Sequence, residues 1–581
     1  MSAPTIYSLS IERFRSIKTL SWYPAKGVNV ILGGGDIGKT TILDAIGLLL
    51  SPINPSTIPD TDYYARKVEE GFVIEAIFAL PPESKINNQV KASWPWDWNG
   101  KEAVVPAETG NGGTESEPVY RVRVCGTADL ELTYEIVQPD GETNSFPVAL
   151  RRSIGLVRLS GDDRNDRDLR LVQGSALDRL LSDKGLRSRL ASDLAEHSVK
   201  DGLTEDAQKA LKGLDTAFKS ESLPDGLGLA INGGQGLSVA AMIGLSADRN
   251  GVQLPLTSWG AGTRRIASLA IAEQNQGDAP ITLVDEVERG LEPYRQRSLM
   301  DKLQGGKAQV FVTTHSPFSI AAASQASIWY VDHAGKIGAL EPKKTARHRK
   351  RDPETFLSRF TVVAEGETEC GFVTALLEKA LGPSLEQHGI HVSDGGGHES
   401  TLGLLEALSE GGLHFGGFAD NEDGKHPTQW KKIEEKLDKL LFRWASGCLE
   451  ENIINVIPNE NLETLIIDPE DNNTGVRLRT LADRLDCHEK DFGTINAKVG
   501  ANLKALIVAA ASGTVPADKT SEKNKYKGEA KNWFKSVNGG RELAGKMFTL
   551  GAWPMLKPQL LPFCNAIRKA VDLPEIQDIV L

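Results

Sequence analysis

The segment Ile31-Leu32-Gly33-Gly34-Gly35-Asp36-Ile37-Gly38-Lys39-Thr40-Thr41 constrains this chain more than any other stretch. An apolar run from Val28 to Leu32 precedes it and reads as a buried strand. The run Ile42 to Leu50 follows it and reads as a helix. Strand, glycine-rich turn and Lys-Thr opening a helix make the P-loop pattern. Glycines let backbone N–H groups close on phosphate oxygens, and the helix N-terminus adds positive potential. In this reading Gly33, Gly35, Asp36, Gly38 and Thr41 shape the cradle, Lys39 reaches the β/γ phosphates and Thr40 holds Mg²⁺.

A phosphate cradle of this kind needs an acidic partner on a neighbouring strand. Ile281-Thr282-Leu283-Val284-Asp285-Glu286 supplies one. Acids at the end of a buried apolar strand are costly unless a cation meets them, which argues for a metal. Asp285 then binds Mg²⁺ through water, and Glu286 polarises the attacking water. One strand on, Val310-Phe311-Val312-Thr313-Thr314-His315 ends in a histidine placed to sense the γ-phosphate. Upstream, Ser258-Trp259-Gly260-Ala261-Gly262 forms a glycine turn before the helix Ile266 to Ala272, a second anion-ready helix start. Ser258, Gly260 and Gly262 are its candidate nucleotide contacts.

With 581 residues the chain is long enough for several domains. Its net charge of −12 argues against a surface coated for nucleic acid, although local basic patches can still bind it. The five cysteines are scattered and form no Cys-x-x-Cys, so neither a disulfide framework nor a structural zinc site is expected, and a reducing cytoplasm fits. No run is apolar enough for a membrane span, and no signal peptide is read at the N-terminus.

Along the chain, Ile6 to Ile11, Phe72 to Leu80, Val119 to Val124 and Leu130 to Val137 read as strands. Pro81 to Pro118 reads as a surface loop whose Trp94, Trp96 and Trp98 pack on their own sheet or stack on bases. Leu177 to Phe218 carries apolar residues at helical spacing and predicts two or three amphipathic helices, as a partner-binding arm or as plain core packing. The basic, proline-flanked stretch 342–358 reads as a linker.

P-loop, glycine signature, Asp-Glu strand end and Thr-His switch, in that order, resemble an ABC-type ATPase of the SMC/RecF kind. Phe14-Arg15-Ser16 resembles that family's N-terminal Phe-Arg-Ser. The resemblance implies ATP as cofactor and paired heads that sandwich it, hence a homodimer or a dimer of dimers. Two departures stand out: Ala261 separates the signature glycines, and Glu292 stands where a histidine is common.

A second constellation begins at Val362-Val363-Ala364-Glu365-Gly366-Glu367-Thr368-Glu369, a strand ending in Glu-Gly-x-Thr-Glu. Phe415-Gly416-Gly417-Phe418-Ala419-Asp420-Asn421-Glu422-Asp423 is another strand with an acidic end. Ile453 to Ile457, followed by Glu460 and Glu463, reads as a third. Carboxylates at the C-terminal ends of parallel strands face one crevice and repel unless divalent cations sit between them. Such a site activates water and stabilises a leaving phosphodiester oxygen.

These residues resemble a Toprim domain. ATPase followed by Toprim is similar to the OLD (overcoming lysogenisation defect) nucleases, including the ATPase-nuclease subunit of Gabija defence systems. The resemblance implies a Mg²⁺- or Mn²⁺-dependent DNA endonuclease or nickase in antiphage defence, with a partner defence protein possible. It carries metal binding onto Glu365, Glu369, Asp420, Glu422 and Glu463, and catalysis onto Glu365 and Asp420. A late catalytic lysine falls on Lys546, ahead of Arg541 and Lys535. Because Asp420-Asn421-Glu422-Asp423 departs from the family's Asp-x-Asp, an ATP-driven sensor or scaffold with a vestigial or RNA-directed Toprim site is the alternative. The expected architecture is α/β: an ABC-type ATPase at 1–341 with a helical insertion at about 175–222, the linker, and a Toprim domain with C-terminal helices at 359–581.

Overall fold

The computed structural model describes residues 3–55, 58–80, 86, 94–106, 117–159, 168–172, 175–181, 203–231, 243–275, 280–382, 384–421, 424–468, 470 and 473–579. They form two compact units, one of Met1–Leu32 with Asp36–Trp329, the other of Gly33–Gly35 with Tyr330–Leu581.

In the first unit an antiparallel sheet runs Ile17–Trp22, Thr5–Phe14, Phe72–Ala79, Glu117–Gly126, Leu132–Val137. Its strands alternate buried and open positions, as a sheet with one covered face requires. Beside it lies a parallel sheet in the order Leu156–Leu159, Ile281–Val284, Val310–Thr313, Val28–Leu32. Three of these strands are buried at every position, which is why they read as unbroken apolar runs. The parallel order brings the P-loop, the Asp285 strand end and the Thr313 strand end to one edge.

Trp96–Trp98 is a strand paired with Glu117–Gly126 rather than loop. Trp96 is buried and its Nε1 donates to Val137 O at 2.8 Å, while Trp98 packs 5.2 Å from the Tyr7 ring. Both pack on their own sheet; Trp94 is exposed. Of the expected helical segment, Ala176–Leu181 and Glu205–Ser220 are helices, and Thr204 caps the second through the Ala207 N–H. Leu177, Ala207, Leu214 and Phe218 are buried, and both helices pack against the signature helix Ala261–Asn275. Leu186, Leu190 and Leu194 lie outside the described residues.

The second unit holds a four-stranded parallel sheet ordered Ile390–Asp394, Phe360–Ala364, Gly416–Ala419, Leu441–Arg443. Phe418 is the hub of its core, with ring centroids 4.9 Å from Phe442, 5.8 Å from Phe372 and 5.9 Å from Phe563. Phe563 belongs to the helix Trp553–Ala570, so the C-terminal helices share one core with the sheet.

Two expectations are corrected here. The stretch 342–358 is no extended linker: Pro342–Arg351 is a helix, followed by a 3-10 turn at Pro353–Phe356. Pro342 opens the helix, where its missing N–H costs nothing, and Glu341 accepts from Lys343 N and Lys344 N. Thr345 and His348 are buried, and four basic residues fill the last turn, where the helix dipole favours them. The prolines read as linker punctuation are a helix start. Likewise, Ile453 to Ile457 is not a strand: Leu449–Ile454 is a helix, and the fourth strand is Leu441–Arg443. A short apolar run cannot by itself distinguish a buried strand from a buried helical turn.

Candidate functional site

The P-loop turn uses two backbone conformations that favour glycine, at Gly33 (φ 137) and Gly38 (φ 93), and Asp36 is also left-handed (φ 57). Gly38 is the N-cap of the helix Lys39–Leu49. That helix is fastened from outside: Asp44 pairs with both Arg15 and Arg158, and Arg15 also holds Asp62 at 2.7 Å. Arg15 of the Phe-Arg-Ser sequence is therefore a clamp on the P-loop helix.

Lys39 is buried, and burial lowers its pKa to about 8 against the pull of Asp285, Glu288, Asp36 and Glu286. Thr40 Oγ1 donates to Asp285 Oδ1 at 3.2 Å, and Thr313 Oγ1 donates to the same oxygen at 2.6 Å. Thr40 and Asp285 thus meet as two hard oxygen donors, a fit to Mg²⁺. Glu286 sits in the left-handed region (φ 48), held there by its N–H donating to Thr313 Oγ1 at 2.8 Å. Such strain in a non-glycine residue is characteristic of functional positions. His315 is brought to the same edge; partial burial and then Lys39 lower its pKa, keeping it neutral near pH 7.

Two further residues escaped the sequence reading. Glu288 accepts from Thr314 Oγ1 and from His315 N, both at 2.7 Å, and so fixes the switch segment. Arg265 is buried and donates to the Asp285 carbonyl. Nothing in their spacing marked them. Ser258 is exposed and donates to Pro255 O at 2.7 Å; Gly260 is exposed as well. Gly262 lies inside the helix, which starts at Ala261, and a Cβ there would fall 2.1 Å from Gly290 O. Its visible task is close packing.

In the second unit Glu365 and Asp420 directly follow the two central strands. Asp420 N donates to Glu365 Oε2 at 3.0 Å, and Leu449 N donates to Asp420 Oδ1 at 2.9 Å. Glu369 enters from the first turn of the helix Glu367–Leu381. Glu450, fully buried in the first turn of Leu449–Ile454, is the fourth acid. Burial raises the Glu369 pKa to about 7, with Glu450 and Glu365 adding repulsion and Lys535 opposing it. Burial raises Asp420 to about 9, reinforced by Glu369, Glu450 and Glu365. The charge of Arg443 acts on Glu365, and Lys535 Nζ lies 2.7 Å from Glu450 Oε1. Burial works against its charge, yet Glu450 and Glu369 hold its pKa above the ordinary lysine value.

Of the three basic residues considered for the late lysine, Lys535 is the one paired with a member of this acid group. Lys546 Nζ donates to Leu465 O and Ile467 O and pairs with Glu542 at 2.7 Å, a structural role between helices. Arg541 pairs with Glu378 at 2.6 Å. Lys535 reaches the acids because two helices cross backbone to backbone. A Cβ on Gly371 would sit 1.9 Å from Val537 O, and one on Gly540 would sit 2.0 Å from Thr368 O.

Glu463 is also corrected: it is exposed, on the helix Leu462–Ile466, and the buried acid from this part of the chain is Glu450. Glu422 and Asp423 lie outside the described residues. Among the described residues, no three His, Cys, Asp or Glu side chains close into a ready-made ion shell. The donor chemistry nonetheless fits a hard divalent cation, because four carboxylates whose ionisation is opposed by burial and by one another are satisfied by one.

A family model described as an AAA domain matches residues 8–221. Another, described as an AAA domain, putative AbiEii toxin, Type IV TA system, matches 152–321. The overcoming lysogenization defect protein-like TOPRIM domain model matches 356–421. No curated protein matches the chain. Among solved structures, an SmcHead bound to the C-winged helix domain of ScpA is 17% identical, with TM-score 0.38, covering 59% of this chain and 99% of that one. An Smc head derived from Pyrococcus furiosus is 14% identical, with TM-score 0.35 and coverages of 59% and 98%. The recombination mediator protein RecF with ATP is 14% identical, with TM-score 0.35 and coverages of 57% and 98%.

The chain therefore joins a P-loop ATPase head to a Toprim domain. The pairing fits that of the OLD-like ATPase–Toprim proteins. It supports an ATP-dependent nuclease and implies use of a nucleotide and a divalent metal. Among the described residues, no helix is long and apolar enough to cross a membrane.

Proposed function

We propose that this protein is an ATP-hydrolysing, divalent-metal-dependent DNA endonuclease or nickase of antiphage defence, working in the cytoplasm as a homodimer or dimer of dimers. The observation that carries the reading is the gathering of Glu365, Glu369, Asp420 and Glu450 around one lysine at the C-terminal end of the second parallel sheet.

In the head, Lys39 and the P-loop N–H groups would bind the phosphates, while Thr40 and Asp285 would hold Mg²⁺. Glu286 orients and polarises the attacking water, and neutral His315 contacts the terminal phosphate. In the Toprim unit, Glu365, Glu369 and Asp420 would hold Mg²⁺ or Mn²⁺. An ion held by these carboxylates would lower the pKa of an attacking water and offset charge on the scissile phosphate. Lys535, kept charged by Glu450, stabilises the additional negative charge that develops on the phosphate or the leaving oxygen.

Supercoiled plasmid incubated with the full-length protein, ATP and Mg²⁺ or Mn²⁺ tests this. Nicked or linear product that disappears in Asp420→Asn is the expected result. Intact plasmid under every metal and nucleotide, from protein that binds ATP, would overturn it and favour the sensor or scaffold.

A further inference from the structure

We infer that His398 is a nitrogen ligand of the cation held by Glu365, so that the site mixes an imidazole with its carboxylates and takes Mn²⁺ in preference to Mg²⁺. The inference rests on the metal-dependent reading above and goes beyond it in ligand set and ion preference.

His398 opens the helix His398–Glu410 after Gly395-Gly396-Gly397. Its side chain is only 7% exposed, and neither Nδ1 nor Nε2 makes a hydrogen bond. A buried polar group left in that state is destabilising, and in a native fold it calls for a ligand, an ion or water. The ring is not adrift. It packs 5.7 Å from Trp430 and stacks 6.3 Å from His426.

Its Nδ1 lies 3.4 Å from Glu365 Oε2 without forming a hydrogen bond. Adjacent donors on an octahedral ion with bonds of about 2.1–2.2 Å stand roughly 3 Å apart. The observed spacing is therefore within a few tenths of an ångström of shared coordination. Backbone bonds tie the two residues together: Gly397 N donates to Glu365 O and Gly395 N to Ala364 O, both at 2.7 Å. The histidine and the strand that carries Glu365 thus hold a fixed relation. Mg²⁺ prefers all-oxygen shells and gains little from imidazole, whereas first-row transition ions gain more.

The test uses full-length, nucleotide-free protein titrated with Mn²⁺ and read by electron paramagnetic resonance, with electron spin-echo modulation reporting ¹⁴N coupling. Wild type should bind Mn²⁺ in a Glu365-dependent manner and show histidine-nitrogen coupling. His398→Gln should lose the coupling and bind Mn²⁺ about 10–100-fold more weakly. Its Mg²⁺ affinity, measured by competition, should change less than about threefold. His398→Asn provides the same readouts should the glutamine variant fail to fold, and the wild-type spectrum needs no variant. Mn²⁺ binding that depends on Glu365 but shows no nitrogen coupling, or coupling that survives in His398→Gln, sinks the inference and leaves the metal reading standing. No Glu365-dependent binding at all sinks both.

Discussion

Asp285 and Asp420 each stand at the C-terminal end of a buried parallel strand, yet their surroundings are opposite. Asp285 accepts from Thr40 and Thr313 and lies in the field of buried Lys39. Asp420 faces Glu365, Glu369 and Glu450, with Lys535 opposing their repulsion, and its protonated form is strongly favoured. Hydroxyl donors and a lysine meet the carboxylate with partners from within the protein. A concentration of acids stores a demand that an external cation must meet. The first site is therefore organised before its ligands arrive, while the second is electrostatically incomplete without one.

The sharpest break of that contrast removes an acid from each side. Asp420→Asn should cut plasmid cleavage by about 10³-fold or more while leaving ATP hydrolysis within about twofold. Glu286→Gln should do the reverse to ATP turnover, slowing it by about 10²-fold with ATP still bound. Phosphate release and gel-based cleavage assays on both variants decide it. Equal loss of both activities in either variant would collapse the separation of roles.

Exchange of the two lysines sharpens it next. Lys535→Ala should lower cleavage by about 10²-fold and leave Glu450 buried without its partner, a change that also destabilises the fold by about 3–5 kcal/mol. Lys546→Ala should lower the melting temperature and leave cleavage per folded molecule intact. Denaturant melts alongside cleavage rates separate the two outcomes.

The pH dependence of metal-free protein has a definite sign. Glu369 is raised from 4.5 to about 7 and Asp420 from 3.8 to about 9. Well below the ordinary values of 3.8 and 4.5 both are protonated, folded or unfolded, and the cluster costs nothing. As pH rises through these values the unfolded chain releases protons that the folded chain keeps, and stability falls, by on the order of 3 kcal/mol for Glu369 alone. Added Mg²⁺ or Mn²⁺ should therefore raise the melting temperature little at pH 5.5 and markedly at pH 8.5. In Asp420→Asn the gain should shrink. A metal-induced shift that does not grow with pH would contradict the account.

The smallest expected effect is geometric. Gly540→Ala places a methyl group against Thr368 O and should cost about 1–3 kcal/mol, while moving Lys535 off Glu450. Cleavage should fall more than stability alone explains.

Local chemistry explains which of these features could be read from the chain. The P-loop, the Asp285-Glu286 strand end and Glu365-x-x-x-Glu369 are contiguous patterns in which spacing and element type dictate proximity. The fully buried strands Val28–Leu32 and Phe360–Ala364 were equally legible, because burial on both faces leaves an unbroken apolar run, whereas the short strand Leu441–Arg443 carried no such signal. The helix at 342–351 is hard to read because two prolines flank it and only Thr345 and His348 of its residues are buried.

What the amino-acid order determined by itself was the pair of chemistries, phosphate binding in the first half and clustered acid in the second, together with the strands that present them. What only the tertiary structure decided was which distant side chains complete each site. Glu450, Lys535 and His398 come from three separate helical neighbourhoods, and Glu463 and Lys546 are turned elsewhere. The physical reason is that a helix crossing sets such meetings. Gly371 and Gly540 allow two backbones to touch, and that contact, invisible in linear spacing, chooses the lysine.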